Sequence, residues 1–190
     1  MYDSLSQIES DVKKCTKCDL CNIRTNAIFA VGDDSSKVML IGESPSEDED
    51  KTGEAFSGKS SSLLKDALLA HGFDFDKIYS TNIIKCKHLD NKTITKEELD
   101  GCISYLRYQV KLISPLVVLL MGNVSLKAIL GDSMQISTAR GKVVEKKGIK
   151  YIPTYHPAAL MRDENKKIEF WEDIETLKNE CILNCIDVFK

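Results

Sequence analysis

The run Val38-Met39-Leu40-Ile41 stops abruptly at Gly42-Glu43. A short unbroken apolar stretch closed by glycine reads as a strand buried on both faces, as in a parallel sheet. Parallel strands need long crossover connections, usually helical, so this stretch points to an α/β architecture. It also says where to look for chemistry, because ligands of open α/β sheets sit just past the carboxyl ends of the strands. Here that place is the loop from Gly42 to Gly58, which carries Glu43, Ser44, Glu49 and Phe56. A carboxylate beside an aromatic face suits a small flat ligand.

The remaining chain repeats the alternation. Residues 78–84 read as a second strand with Asn82 among apolar neighbours, and 116–122 as a third, ending in Gly122. Val143-Val144 and residues 149–152 read as a hairpin or two short strands around Lys147-Gly148. Helical spacing places Leu5, Ile8 and Val12 on one face of residues 4–14. A helix over 60–70 would be capped by Ser60 or Ser61 and ended by Gly72. Another starts near Thr95, with Glu98 completing a capping box, and runs to about Ile113 before Pro115. Asn123 is placed to cap a short helix, and a last helix runs from about 165 into the 180s. Residues 22–36 read as a loop. The alternation predicts a three-layer α/β/α sandwich around a central, mostly parallel four-stranded sheet. No linker or repeat interrupts residues 1–190, which read as one domain.

Seven cysteines need an explanation in a chain whose start has no signal-peptide core. No run of about 18 apolar residues suggests a membrane span, so a cytoplasmic, membrane-free protein is expected. In a reducing compartment metal is a better first explanation than disulfides. Cys15-Thr16-Lys17-Cys18 supplies half a site, and Cys86 and Cys102 flank the start of one helix. Four thiolates without histidine suit either an iron–sulfur cluster or structural zinc. Cys21 is left over. Cys181 and Cys185, sharing a helix face, read as small buried hydrophobes. The net charge of -3 excludes a uniformly basic nucleic-acid binder but not a local basic face.

Glu43, Glu49, Asn82 and His156 all follow strand ends, and in a parallel sheet these share one edge. An aromatic at Phe56 could stack on a ligand, the Asn82 amide could read a hydrogen-bond pattern, and His156 could stabilise charge. The plainer readings are a loop histidine, a core phenylalanine, and a solvated acidic face at Asp48 and Asp50. Convergence on one edge favours the pocket.

Four ordered stretches and a set of four cysteines carry a resemblance. GESPSEDEDKTGEAFSG is similar to the first motif of the family 4 uracil-DNA glycosylases, TNIIKC to its second-strand motif, TARG to its arginine turn and YHPAALMR to its histidine loop. Cys15, Cys18, Cys86 and Cys102 match the four ligands of that family's [4Fe-4S] cluster, so iron–sulfur outranks zinc. The resemblance implies a DNA repair enzyme that flips uracil out of DNA and hydrolyses its N-glycosidic bond. It implies catalytic roles for Glu43, Glu49 and His156, and substrate contacts from Gly42, Ser44, Phe56, Asn82 and His156. Arg140, Lys142 and Arg162 would contact DNA, with Leu160 or Met161 as an apolar wedge. The expected partner is uracil-containing DNA, single- or double-stranded; a sliding clamp is a further candidate, and a monomer is expected.

The departures are Ser46, where the family has glycine, and Ala55-Phe56-Ser57 in place of Pro-Phe-Val. The polar stretch after Cys86 also differs, and His88 lacks the basic insertion of DNA-crosslinking relatives. Ser46 keeps an alternative open, a DNA-binding or interaction module without cleavage. A redox protein using the cluster is a third reading, which leaves the pocket residues without a purpose.

Overall fold

In the computed structural model, residues 2–88 and 93–190 are described. The chain opens with α1 (Leu5–Lys13), followed by β1 (Ala30–Val31) and then β2 (Val38–Gly42), buried at every position. The loop after β2 contains α2 (Glu47–Thr52), and α3 (Lys59–Ala70) crosses back to β3 (Tyr79–Asn82). Next come α4 (Lys96–Ile113), β4 (Val117–Met121), α5 (Gly122–Leu130) and α6 (Ile136–Ala139). A hairpin of β5 (Val144–Lys146) and β6 (Ile149–Thr154) leads through α7 (Pro157–Leu160) to α8 (Asn165–Leu183).

The sheet order is β1-β3-β2-β4-β6-β5. The four central strands run parallel, and β1 and β5 add antiparallel edges. The expected four-stranded sheet is therefore six-stranded among the described residues. The edge β5 is the first arm of the hairpin expected around Lys147-Gly148, whereas β1, two residues long, is too short to leave an alternation that can be read. One face is covered by α3, α7 and α8 around Leu40, Leu68, Leu119, Ile174 and Leu177. The other is covered by α4 and α5 over Met39, Ile41, Leu106 and Val118. Outside α4 lies α1, which buries Ile8 and Val12 against Tyr105. The result is the expected three layers.

Several local signals resolve differently. The helix read over 60–70 starts at Lys59, after Gly58, with no side-chain cap, while Gly72 does follow its end with φ +89°. Asn123 lies within α5 rather than before it, and its side-chain oxygen accepts from the Ile136 N–H. The acidic run 47–52, read as loop, is helical because Ser46 and Glu49 form a capping box. Asp50 is buried, not solvated: its carboxylate accepts from the Thr25 and Asn26 N–H groups and pins the N-terminal segment to α2. Cys181 is buried as expected, but Cys185 is exposed, lying past the end of α8 with φ +53°. The altered polar stretch includes residues 89–92, outside the described residues. No helix among the described residues is long and apolar enough to cross a membrane.

The Thr95–Glu98 capping box forms with both reciprocal bonds. Removing a cap of this kind typically costs about 1 kcal/mol. Thr95→Ala should lower the unfolding free energy by that order in urea titration, with an unchanged denaturant slope.

Candidate active site

Four parallel strands end on one edge, and the segments beyond them enclose a cleft of about 370 Å³. Glu43, Ser44 and Glu49 reach it from the β2 loop, Asn82 from β3, Met121 from β4 and His156 from the segment after β6. Phe56 closes one side. The three side chains on which the pocket reading depends, Phe56, Asn82 and His156, thus share one cavity.

Two glycines make this convergence sterically possible. Gly42 and Asn82 are register partners on adjacent strands. A Cβ on Gly42 would lie 2.2 Å from Asn82 Oδ1, so only glycine lets that amide lie across the strand end. Asn82 is 6% exposed, and its amide makes no hydrogen bond among the described residues. A buried amide left free on a cleft wall is available to a ligand. Gly122, with φ +91°, supports His156 in the same way: a Cβ there would meet His156 Cβ at 3.1 Å.

His156 precedes α7, and its Nδ1 accepts from the Ala158 N–H at 3.2 Å. That bond makes Nδ1 an acceptor and leaves the proton on Nε2. Burial pushes the imidazole pKa down to about 4. The ring is therefore neutral at pH 7, with one N–H donor.

Glu49 and Glu43 occupy different circumstances. Glu49 is buried, and both its oxygens are used: Oε2 accepts from the Ser46 N–H at 2.6 Å, and Oε1 from the Phe56 N–H. Phe56 has φ +56°, a left-handed conformation that a bulky side chain rarely adopts. Glu49 therefore ties α2 to the residue that places the aromatic ring. Glu43 makes no side-chain hydrogen bond among the described residues. Burial raises its pKa, with His88 acting in the opposite direction. His88 itself lines the cleft and pairs with Glu98 at 3.2 Å. The Ser46 hydroxyl accepts from the Glu49 N–H at 3.3 Å, and Gly58 packs against it. The departure at Ser46 is thus accommodated as a helix cap.

The basic and apolar residues after the cleft separate into two groups. Arg140 is drawn inward: it bonds both oxygens of buried Asp173 and pairs with Glu169 and Glu172. Leu160 is 2% exposed and packs in the core, whereas the adjacent Met161 is 55% exposed. Lys142 and Arg162 are exposed. Arg162 and Lys166 border a groove that runs into the cleft past Glu43, Ser44 and His156. Lys166 was missed in the sequence because a lysine on a helix face usually signals only solvation.

Cys15, Cys18, Cys86 and Cys102 all line one small cavity between the N-terminal segment and the start of α4. Cys21, unassigned from spacing, borders it too. The cysteine thiols face this cavity beside the Tyr105 phenol, and among the described residues no imidazole or carboxylate lines it. Burial raises the pKa of Cys18 and Cys102, and that of Cys86 to about 11. Metal binding here would release protons. Arg24 donates to Cys86 Sγ at 3.1 Å and to the Cys15 carbonyl at 2.8 Å, joining the two cysteine segments. As the side chains stand, no group of three His, Cys, Asp or Glu among the described residues forms a metal-holding set.

Comparison with known proteins bears on all of this. The family model for the uracil DNA glycosylase superfamily matches residues 29–176. The type-4 uracil-DNA glycosylase of Thermotoga maritima is 35% identical over 182 residues, covering 93% of this chain and 95% of that protein. Those of Archaeoglobus fulgidus and Sulfurisphaera tokodaii are each 33% identical, over 94% and 95% of this chain and 94% and 86% of their own lengths. The chain belongs to the uracil DNA glycosylase superfamily, alongside its type-4 uracil-DNA glycosylases.

Proposed function

We propose that this chain, residues 1–190 acting as one domain, is a uracil-DNA glycosylase that hydrolyses the N-glycosidic bond of uracil in DNA and leaves an abasic site. The observation that carries the reading is the shared cleft of Phe56, Asn82 and His156, with a free amide and a single N–H donor facing it. A base inside a duplex is out of reach, so the enzyme acts on single strands or on a nucleotide rotated out of the stack. Phe56 would stack on the ring. The Asn82 amide would donate to uracil O4 and accept from N3–H. Cytosine carries an amino donor at position 4 and no N3–H, so it would leave both groups of a buried amide mismatched. Mismatch of this kind can discriminate by on the order of 10⁴-fold.

In the bond-breaking step the C1′–N1 electrons leave with the base, and negative charge spreads onto its carbonyl oxygens. His156 Nε2–H is placed to donate to O2 as this charge develops, an electrostatic contribution worth roughly 10²–10³-fold for one donor. A water adds to C1′ and loses a proton. Glu43, desolvated and without an internal hydrogen bond among the described residues, is the group suited to orient that water and accept the proton. Glu49 holds the loop rather than the water. Lys142, Arg162 and Lys166 would meet phosphates and Met161 would enter the stack, with Arg140 acting internally. The Ser46 cap weakens the case for a non-cleaving module, because the hydroxyl has a local use. Cys15, Cys18, Cys86 and Cys102 would hold a [4Fe-4S] cluster, which when bound supplies a cross-link between the N-terminal segment and the β3–α4 region.

Uracil-containing single-stranded DNA incubated with the protein and treated with alkali should break at the uracil. Asn82→Ala should keep DNA binding while cutting breakage by on the order of 10²-fold; binding without breakage by the unaltered protein would favour the module reading. His156→Ala should lower kcat by about 10²–10³-fold. Because its pKa is about 4 in the fold against 6.5 unfolded, the histidine stays neutral as pH falls through 6.5. Its contribution to stability is full above 6.5 and is lost as pH falls from there through 4. An NMR titration of the His156 ring should therefore show no inflection near neutrality. Cys18→Ser should lose the visible absorbance of the iron-loaded protein and melt at a lower temperature.

A further inference from the structure

Where α4 and α5 lie over the second sheet face they scarcely touch, and a furrow of about 580 Å³ opens between them and the β5–β6 hairpin. Its floor is apolar: Ile103 and Val110 from α4, Ala128 and Ile129 from α5, and Ile149 and Tyr151 from β6. These side chains pack on the core, yet most keep an open face. The rim is basic. Arg107 and Lys111 stand one turn apart on α4, and Lys146 and Lys147 stand on the hairpin opposite. Among the described residues, none of the four pairs with an acid and no carboxylate lines the furrow. Lys146 is held in place by donating to the Ile129 carbonyl at 2.6 Å. Four uncompensated cations around an aliphatic floor are a notable concentration on a chain of net charge -3.

We propose that this furrow docks a short amphipathic segment of a partner protein, one carrying Asp or Glu beside Leu-, Ile- or Phe-like side chains. Two features of the furrow choose that occupant. The floor needs apolar side chains to cover it, which a phosphate backbone does not supply. The rim needs carboxylates, because charge complementarity sets partner choice and register. The volume is within the range of sites that hold a few side chains. A second copy of this chain is a poorer fit through its most acidic helix, since α2 (Glu-Asp-Glu-Asp-Lys-Thr) has no apolar residue to insert.

The placement gives the surface a use. Crossover helices run antiparallel to the strands, so the C-terminal halves of α4 and α5 lie toward the amino ends of the strands. The furrow is therefore at the opposite end of the sheet from the cleft, and the two share no lining residue. A partner could hold the enzyme while DNA occupies the cleft. This inference stands whether or not the chain releases uracil.

The experiment pans a random-sequence displayed peptide library on the full chain and counter-pans on the double variant Lys111→Glu, Lys147→Glu. The variant should keep its circular dichroism spectrum and its action on DNA, since neither residue is in the cleft. The retained peptides should share acidic residues flanking aliphatic or aromatic ones. A synthetic copy should shift the methyl resonances of Ile103, Ile129 and Ile149 and leave those near the cleft unmoved. Its affinity should fall roughly tenfold or more in the variant and weaken with salt. The proposal is overturned if no peptide distinguishes the two proteins, if the consensus is not acidic, or if the shifts fall at the cleft. Equal shifts from oligothymidylate would assign the furrow to nucleic acid, and shifts that grow with protein concentration alone would assign it to self-association; either result overturns it.

Discussion

The contact between Gly42 and Asn82 is the constraint on which the rest of the site depends. Parallel pairing of β2 and β3 puts these two residues side by side at the carboxyl edge. At that point there is room for an amide or for a Cβ, but not both. The strand must therefore end in glycine if the neighbouring strand is to present asparagine. The same exchange recurs at β4, where Gly122 leaves the space that His156 fills from the segment after β6. Two missing side chains, one closing β2 and one opening α5 just past β4, thus create the seats for the two polar groups of the cleft. The Asn82 seat belongs to the sheet and is held by its backbone hydrogen bonds, which suits a group that would meet a ligand in one geometry.

The aromatic wall is held by a different device. A left-handed backbone at Phe56 costs on the order of 1–3 kcal/mol and persists only where its surroundings enforce it. The enforcing group is Glu49, whose carboxylate receives the Phe56 N–H as well as the Ser46 N–H. Hydrogen bonds to a charged acceptor contribute about 1.5–3 kcal/mol, enough to offset the strain. A carboxylate in the first loop therefore acts on the ring through the backbone, while Glu43 is left facing the cleft. Two glutamates six residues apart in one loop differ in role because one meets N–H donors and the other meets none among the described residues.

Much of this was legible in the sequence where local chemistry decides. The strand Val38–Gly42, the Thr95–Glu98 box and the strand-end positions of Asn82 and His156 each follow from a pattern contained within a few residues. The edge strand Ala30–Val31 was too short to carry such a pattern, whereas the hairpin that holds Val144–Lys146 was expected from the sequence. Asp50 and Arg140 were misjudged for one reason. Each is a charged residue that the sequence assigns to solvent or DNA, and each is satisfied internally by partners more than twenty residues away. Leu160 and Met161 are neighbours of similar size, and nothing local says which one the core takes.

By itself the sequence determined the layer architecture, the edge on which the polar groups gather, and the cysteines that could share a centre. These depend on periodicity and on glycine, both of which act over short stretches. Only the tertiary structure decided which glutamate is free, which basic residues face outward, which imidazole nitrogen carries the proton, and that a basic-rimmed furrow opens behind the sheet. The outward basic residues and the furrow rest on contacts between segments far apart along the chain, whereas the bonds that engage Glu49 and His156 are short-range but depend on how the loop after β2 and the turn before α7 fold.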